Sequence, residues 1–163
     1  AFDLNMSEPP LASTDIDEHS LLQKRLATPV CLDEALHDRA DAEAAIALGA
    51  CRILNVKQGR VGGLRESLRI AARAAALGVP VWSGGMDETG IGRAVNIHLQ
   101  TAPGFTLPGD TSETRRYFHE DLVEPPVVLD AEGFIAVPAG PGIGVEVLPE
   151  RLEKFALSSE RLR

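Results

Sequence analysis

Short apolar runs of strand character alternate along most of the chain with longer stretches whose apolar positions recur at helical spacing. The runs fall at 2–6, 29–32, 51–56, 80–83 and 105–107, and helices are predicted over 15–26, 41–48, 64–77 and 91–101. Gly49 and Gly78 close the second and third helices and Pro103 the fourth. A glycine just past a helix supplies the left-handed stop, and a proline has no N–H with which to continue. Strand, turn, helix and return repeat with a period of about 25 residues, the size of one βα unit, so the pattern predicts consecutive units and a parallel sheet.

Each run ends in residues that can do chemistry or that leave room for it: Glu8, Asp33, Lys57, the block Gly84-Gly85-Met86, and Asp110. In a (β/α) barrel the carboxyl ends of successive strands converge on one mouth, whereas in a doubly wound sheet they spread along an edge. One polar group per strand therefore favours the barrel. From Asp121 the rhythm stops. Residues 127–129 and 134–137 around the turn Asp130-Ala131-Glu132-Gly133 predict a hairpin. A turn-rich stretch at 138–144, a strand at 145–147 and a short helix near 150–157 follow. Two parts are expected: 1–120, built from βα units, and 121–163, a tail that packs elsewhere.

Composition narrows the partners. The 163 residues carry a net charge of −8. No lysine and arginine cluster offsets it, which disfavours binding to a phosphate backbone. With Phe 5, Trp 1 and Tyr 1 there is no stacking platform for bases. No run approaches the ~18 apolar residues of a membrane span, and no basic and apolar leader opens the chain. Cys31 and Cys51 stand in apolar stretches without CxxC spacing, which reads as buried thiols of a reducing compartment, and the cytoplasm is expected. The chain opens without methionine in what reads as mid-strand, so a preceding segment is expected.

Glu8 and Asp33, on neighbouring strands, can share a hard divalent cation, or can simply solvate two strand ends. Lys57 beside such a site is a usable base, because burial and a like charge favour the neutral amine; the plainer reading is a surface lysine. The loop Gln58-Gly59-Arg60-Val61-Gly62-Gly63 opens a helix and could cradle an anion with its backbone N–H groups, but it fits neither GxGxxG nor the Walker pattern, and a tight βα turn is the favoured reading. Gly140-Pro141-Gly142-Ile143-Gly144 reads as a turn as well. None of the four histidines has metal-ligand spacing, and surface or hydrogen-bonded roles are expected for them. No Gly-x-Ser-x-Gly marks a hydrolase nucleophile.

Taken together, Ser7-Glu8-Pro9-Pro10-Leu11, Cys31-Leu32-Asp33-Glu34, Asn55-Val56-Lys57 with Gly62-Gly63, Gly84 to Ala94, and Phe105-Thr106-Leu107-Pro108-Gly109-Asp110 resemble the enolase superfamily. Within it the resemblance is to the o-succinylbenzoate synthase and N-acylamino acid racemase group. It implies an α/β fold: the C-terminal part of a (β/α)7β TIM-like barrel, entered at about the fourth strand, with a tail that returns to a capping α+β domain. It further implies Glu8 and Asp33 as metal ligands, Lys57 as a catalytic residue, and Gly84, Gly85 and Met86 beside the substrate.

The cofactor so implied is a divalent metal, Mg2+ first, with Mn2+ or Co2+ as substitutes. The activity is α-proton abstraction from a small carboxylate substrate through an enediolate, leading to racemisation or to a dehydration in the menaquinone pathway. The first metal-binding Asp and a Lys-x-Lys pair would precede Ala1, so the missing N-terminal half of the barrel and cap is an expected partner, this chain alone should be inactive, and a homo-oligomer is expected. Sister activities, muconate cycloisomerisation or dipeptide epimerisation, and a non-catalytic half-barrel scaffold are the alternatives.

Overall fold

The structure, a computed structural model, describes residues 3–160. The chain divides into two compact units, Ala1–Met86 with Leu99–Asp110, and Asp87–His98 with Thr111–Arg163.

The first unit is a βα repeat: α1 (Ile16–Gln23), β1 (Cys31–Leu32), α2 (Arg39–Leu48), β2 (Ile53–Val56), α3 (Leu64–Ala76) and β3 (Val81–Ser83). The strands pair in parallel in the order β1-β2-β3. Single parallel bridges, Ser7 to Val30 and Val81 to Phe105, extend this arrangement on either side. Five parallel segments thus stand where five runs were expected, the outer two reduced to bridges; Ala1 and Phe2 lie outside the described residues.

Helix positions follow the local chemistry. The Asp38 carboxylate accepts from the Asp41 N–H at the start of α2, and Gly49 ends that helix at φ +66°, a backbone region in which a side chain is strained. In α3, Ser67, Ile70, Ala71 and Ala74 are buried, the i, i+3, i+4, i+7 stripe of a helix lying on a sheet. Small residues let the chain close in: a Cβ on Gly104 would stand 3.0 Å from the Ala71 carbonyl oxygen.

Strand alternation sorts the side chains onto two faces. Leu32, Leu54, Val56 and Val81 join Ala42, Ala45, Ile70 and Ala74 in the larger core, between sheet and helices. Cys31, Ile53 and Trp82 form a second cluster on the other face, with Met6 and Leu107 packed against it. Each fully buried aliphatic side chain contributes roughly 1.5–3 kcal/mol. The polar face of α1 is also used: the Gln23 side-chain oxygen accepts from Val30 N–H at 2.6 Å, and the Ser20 hydroxyl donates to the Leu48 carbonyl. His19 is fully buried and hydrogen-bonded at one ring nitrogen, Nδ1 lying 2.9 Å from the Asp15 carbonyl oxygen, while Nε2 has no partner.

The second unit holds most of α4 (Gly90–Gln100), a 3-10 turn (Thr114–Arg116), β4 (Val123–Glu124), β5 (Glu146–Val147) and α5 (Pro149–Phe155). Its antiparallel sheet pairs β4 with β5, which corrects the expected hairpin at 127–137. The turn forms, with the Asp130 carboxylate accepting from the Glu132 and Phe134 N–H groups, but no ladder follows. Pro125, Pro126 and Pro138 flank the two runs without N–H donors, and the Leu129 N–H is spent on the Glu113 carboxylate at 2.7 Å. That same bond, with Arg115 beside it, holds the Glu113 carboxyl below the usual carboxylate range.

Candidate active site

Two residues beyond the apolar cluster of the inner strand face, alternation returns side chains to the same side, now polar: Met6 leads to Glu8, Cys31 to Asp33, Ile53 to Asn55 and then Lys57, Trp82 to Gly84. The strand ends therefore bring the expected acids and lysine to one place. Asp33 is 4% exposed. Its two oxygens face two cations, Lys57 Nζ at 2.6 Å and Arg60 Nη2 at 2.5 Å. Both cations are themselves largely buried, at 18% and 14%, and pairing with hydrogen bonds is what makes buried charge tolerable.

Glu8 is exposed and enters the network through Asn55, whose Nδ2 donates to Glu8 Oε1 at 3.1 Å. Arg60 closes it, donating to the Leu36 carbonyl at 2.9 Å and the Asn55 carbonyl at 3.2 Å. Glu8, Asn55, Arg60, Asp33 and Lys57 form one connected set.

Two of these were not singled out as site residues in the sequence. Asn55 had a signal, since it stands two before Lys57 and shares its strand face. Arg60 had none: it lies in the loop read as a tight turn, which the structure shows it to be, with the Arg60 N–H bonded to Lys57 O and the Gly63 N–H to Gln58 O.

Of the remaining expected residues, Gly84 is buried at the end of β3 beside Asn55 and Lys57, and a Cβ there would meet both. The Gly85 N–H donates to Asp110 Oδ1 at 2.7 Å. Met86 is half exposed, its sulfur 3.6 Å from where a Cβ on Gly59 would stand.

Beneath the polar layer the Trp82 indole N–H donates to Cys31 Sγ at 3.3 Å. Burial pushes the Cys31 thiol up to about 12, and does the same to Cys51, so neither supplies a thiolate nucleophile at neutral pH. The expected pair of free, buried thiols is present.

The donor set fits a hard divalent cation. Two carboxylates from adjacent strand ends offer oxygen, the ligand such ions take, with water or substrate completing the shell. Asp33 Oδ2 already faces a cation, Lys57, so an incoming ion exchanges one positive partner for another. Among the described residues no group of three or more His, Cys, Asp or Glu side chains is placed to hold a metal ion.

Parallel βα units with polar groups gathered at the carboxyl ends of their strands define an α/β protein whose site lies at the strand ends. The chain belongs to the family described as Enolase C-terminal domain-like, which it matches over residues 1–151. It is 50% identical over 155 residues to an N-succinylamino acid racemase of Thermus thermophilus, covering 94% of this chain and 42% of that protein. It is 48% identical over 154 residues to an o-succinylbenzoate synthase of Geobacillus stearothermophilus, covering 94% and 41%. The solved structure of an enolase-superfamily member from Listeria innocua superposes with a TM-score of 0.91 at 43% identity, covering 97% of this chain and 42% of that one. The chain thus spans about two fifths of the length of the curated relatives it matches. Among the described residues no helix is long and apolar enough to cross a membrane.

Proposed function

We propose that this chain supplies the carboxyl-terminal share of a metal-assisted proton-transfer site, acting on a small carboxylate as an o-succinylbenzoate synthase or N-succinylamino acid racemase of the cytoplasm. The observation that carries the reading is the Lys57 Nζ contact to Asp33 Oδ2 at 2.6 Å, with Glu8 tied into the same network. Support for the substrate class comes from the relatives, whose names share the succinyl-bearing carboxylates.

Glu8 and Asp33 would hold the ion, Mg2+ first and Mn2+ or Co2+ in its place, with a further ligand and a second lysine from the other part of a complete (β/α)7β barrel. When bound, the ion stabilises the negative charge that gathers on the substrate carboxylate as its α-proton leaves. The work of the chain's own residues is distinct. Arg60 locks the Asp33 carboxylate by a charge-assisted bond and two backbone contacts. Lys57, released from Asp33, stands at one face of the substrate. In racemisation Lys57 works opposite the second lysine. As amine it takes the α-proton from its own face, the C–H electron pair passing into the carboxylate, while the second lysine delivers a proton to the other face. For the other enantiomer, Lys57 as ammonium delivers the proton that replaces the one its counterpart removed. In the dehydration it stays protonated and holds the developing charge while water leaves. Gly84, Gly85 and Met86 border the space beside Lys57 and are the proposed substrate contacts.

The test is α-deuterium exchange of an N-succinylamino acid in D2O by the full-length gene product, with formation of o-succinylbenzoate followed in parallel. Mg2+-dependent turnover in either assay, lost with EDTA, is expected. Full-length protein inert in both assays with Mg2+ present overturns the reading.

A further inference from the structure

We propose that Asn55 is a two-sided positioning residue: its amide N–H holds Glu8, and its buried carbonyl oxygen is the acceptor that takes over the Lys57 ammonium once a divalent cation claims Asp33. The proposal rests on the metal-site reading above.

Asn55 is 1% exposed, yet its Oδ1 has no hydrogen-bond partner. A buried amide oxygen left unpaired is costly, and when it recurs at a site it points to a partner that arrives later. Its Nδ2 is already committed to Glu8 Oε1. Gly84 locates the free oxygen: a Cβ on that glycine would stand 2.3 Å from Asn55 Oδ1 and 2.7 Å from Lys57 Cε. The amide oxygen and the last methylene of Lys57 therefore flank one point, which stays empty because residue 84 has no side chain. The ammonium is one bond beyond that methylene. Rotation about the terminal bonds of Lys57 carries Nζ away from Asp33 Oδ2 and toward Asn55 Oδ1 with the backbone unmoved.

The exchange answers a difficulty that the pairing itself creates. A lysine bonded to a ligand carboxylate competes with the incoming ion for that oxygen. Without a second acceptor, the displaced ammonium would be left in a largely buried place with nothing to bond. A neutral amide is suited to receive it, since it satisfies one N–H without adding a charge that would trap the lysine. Asn55 therefore favours ion binding twice, by fixing Glu8 and by giving Lys57 somewhere to go.

The test is a double-mutant cycle on Mn2+ affinity, read by electron paramagnetic resonance of the free ion with the full-length protein, for wild type, Asn55→Ala, Lys57→Ala and the double variant. Asn55→Ala should weaken Mn2+ binding about tenfold or more, the usual size for a residue supporting a ligand. The same substitution should cost distinctly less in the Lys57→Ala background, where nothing competes for Asp33. Equal losses in both backgrounds would show Asn55 to be a holder of Glu8 alone and overturn the proposal. Wild type that binds no Mn2+ overturns the metal-site reading itself, a result separable from the first. Should Asn55→Ala not fold, crystals of wild type with and without Mn2+ decide: Lys57 Nζ within about 3 Å of Asn55 Oδ1 in the loaded form supports the exchange, and Lys57 still on Asp33 overturns it.

Discussion

Asp33 in the first unit and Glu120 in the second have the same companions, one lysine and one arginine. Asp33 faces Lys57 and Arg60; Glu120 faces Lys154 and, at 3.4 Å, Arg151. What separates them is solvent: the Asp33 side chain is 5% exposed and that of Glu120 35%. In a buried cluster each charge is costly without its partner, so losing one partner calls for a replacement. At the surface, water and salt stand in for either partner, and the pair contributes little. Identical chemistry thus gives a buried, mutually dependent cluster in one unit and a water-screened ion pair in the other.

The contrast is broken most forcefully at Asp33. Asp33→Asn leaves two buried cations facing a neutral amide and should cost about 3–5 kcal/mol in urea unfolding, with loss of metal binding; an unchanged midpoint would show that burial gives the cluster no special standing. Arg60→Lys keeps the charge but cannot reproduce the planar fork that reaches Asp33, Leu36 and Asn55 together. A loss of about 1–3 kcal/mol is expected, and a neutral outcome would mean the three contacts are not made in solution.

Glu120→Gln marks the small end. At pH 7 and physiological salt the melting temperature should not change. The hydrogen bond from Lys154, with the nearby Arg151, holds the Glu120 carboxyl below its usual value. Whatever it contributes is therefore present above the ordinary glutamate pKa of about 4.3 and is lost as the pH falls further, through the depressed value in the folded state. Any difference between wild type and Glu120→Gln should shrink below pH 4, and a deficit growing with acidity would contradict the assignment.

The two units also differ in how far the sequence foretells them. In the first, each βα unit is a local event: a short apolar run, a helix with a buried stripe, and a glycine stop such as Gly49 at φ +66°. Helix ends therefore lie within a few residues of expectation, and the gathering of Glu8, Asp33 and Lys57 follows from their place at strand ends. Asn55 was recoverable from its strand register. Arg60 was not, because its role depends on where a turn aims a long side chain, and nothing in the local pattern states that.

In the second unit the apolar run after Pro126 reads as a strand, but its fate is set by contacts distant in sequence. Glu113 takes the Leu129 N–H, and Val123 finds Val147 across more than twenty intervening residues. Patterns read locally succeed where the structure is locally determined, and fail where distant side chains claim the backbone.

The central claim, that Lys57 leaves a structural pairing to move a proton, is tested most directly by Mg2+-dependent α-deuterium exchange with the full-length protein carrying Lys57→Ala. Exchange at the face this lysine serves should fall by about 10²–10⁴-fold, while Mn2+ binds at least as tightly as to wild type because the competitor for Asp33 is gone. Undiminished exchange, or Mn2+ affinity lost together with the lysine, would contradict the account.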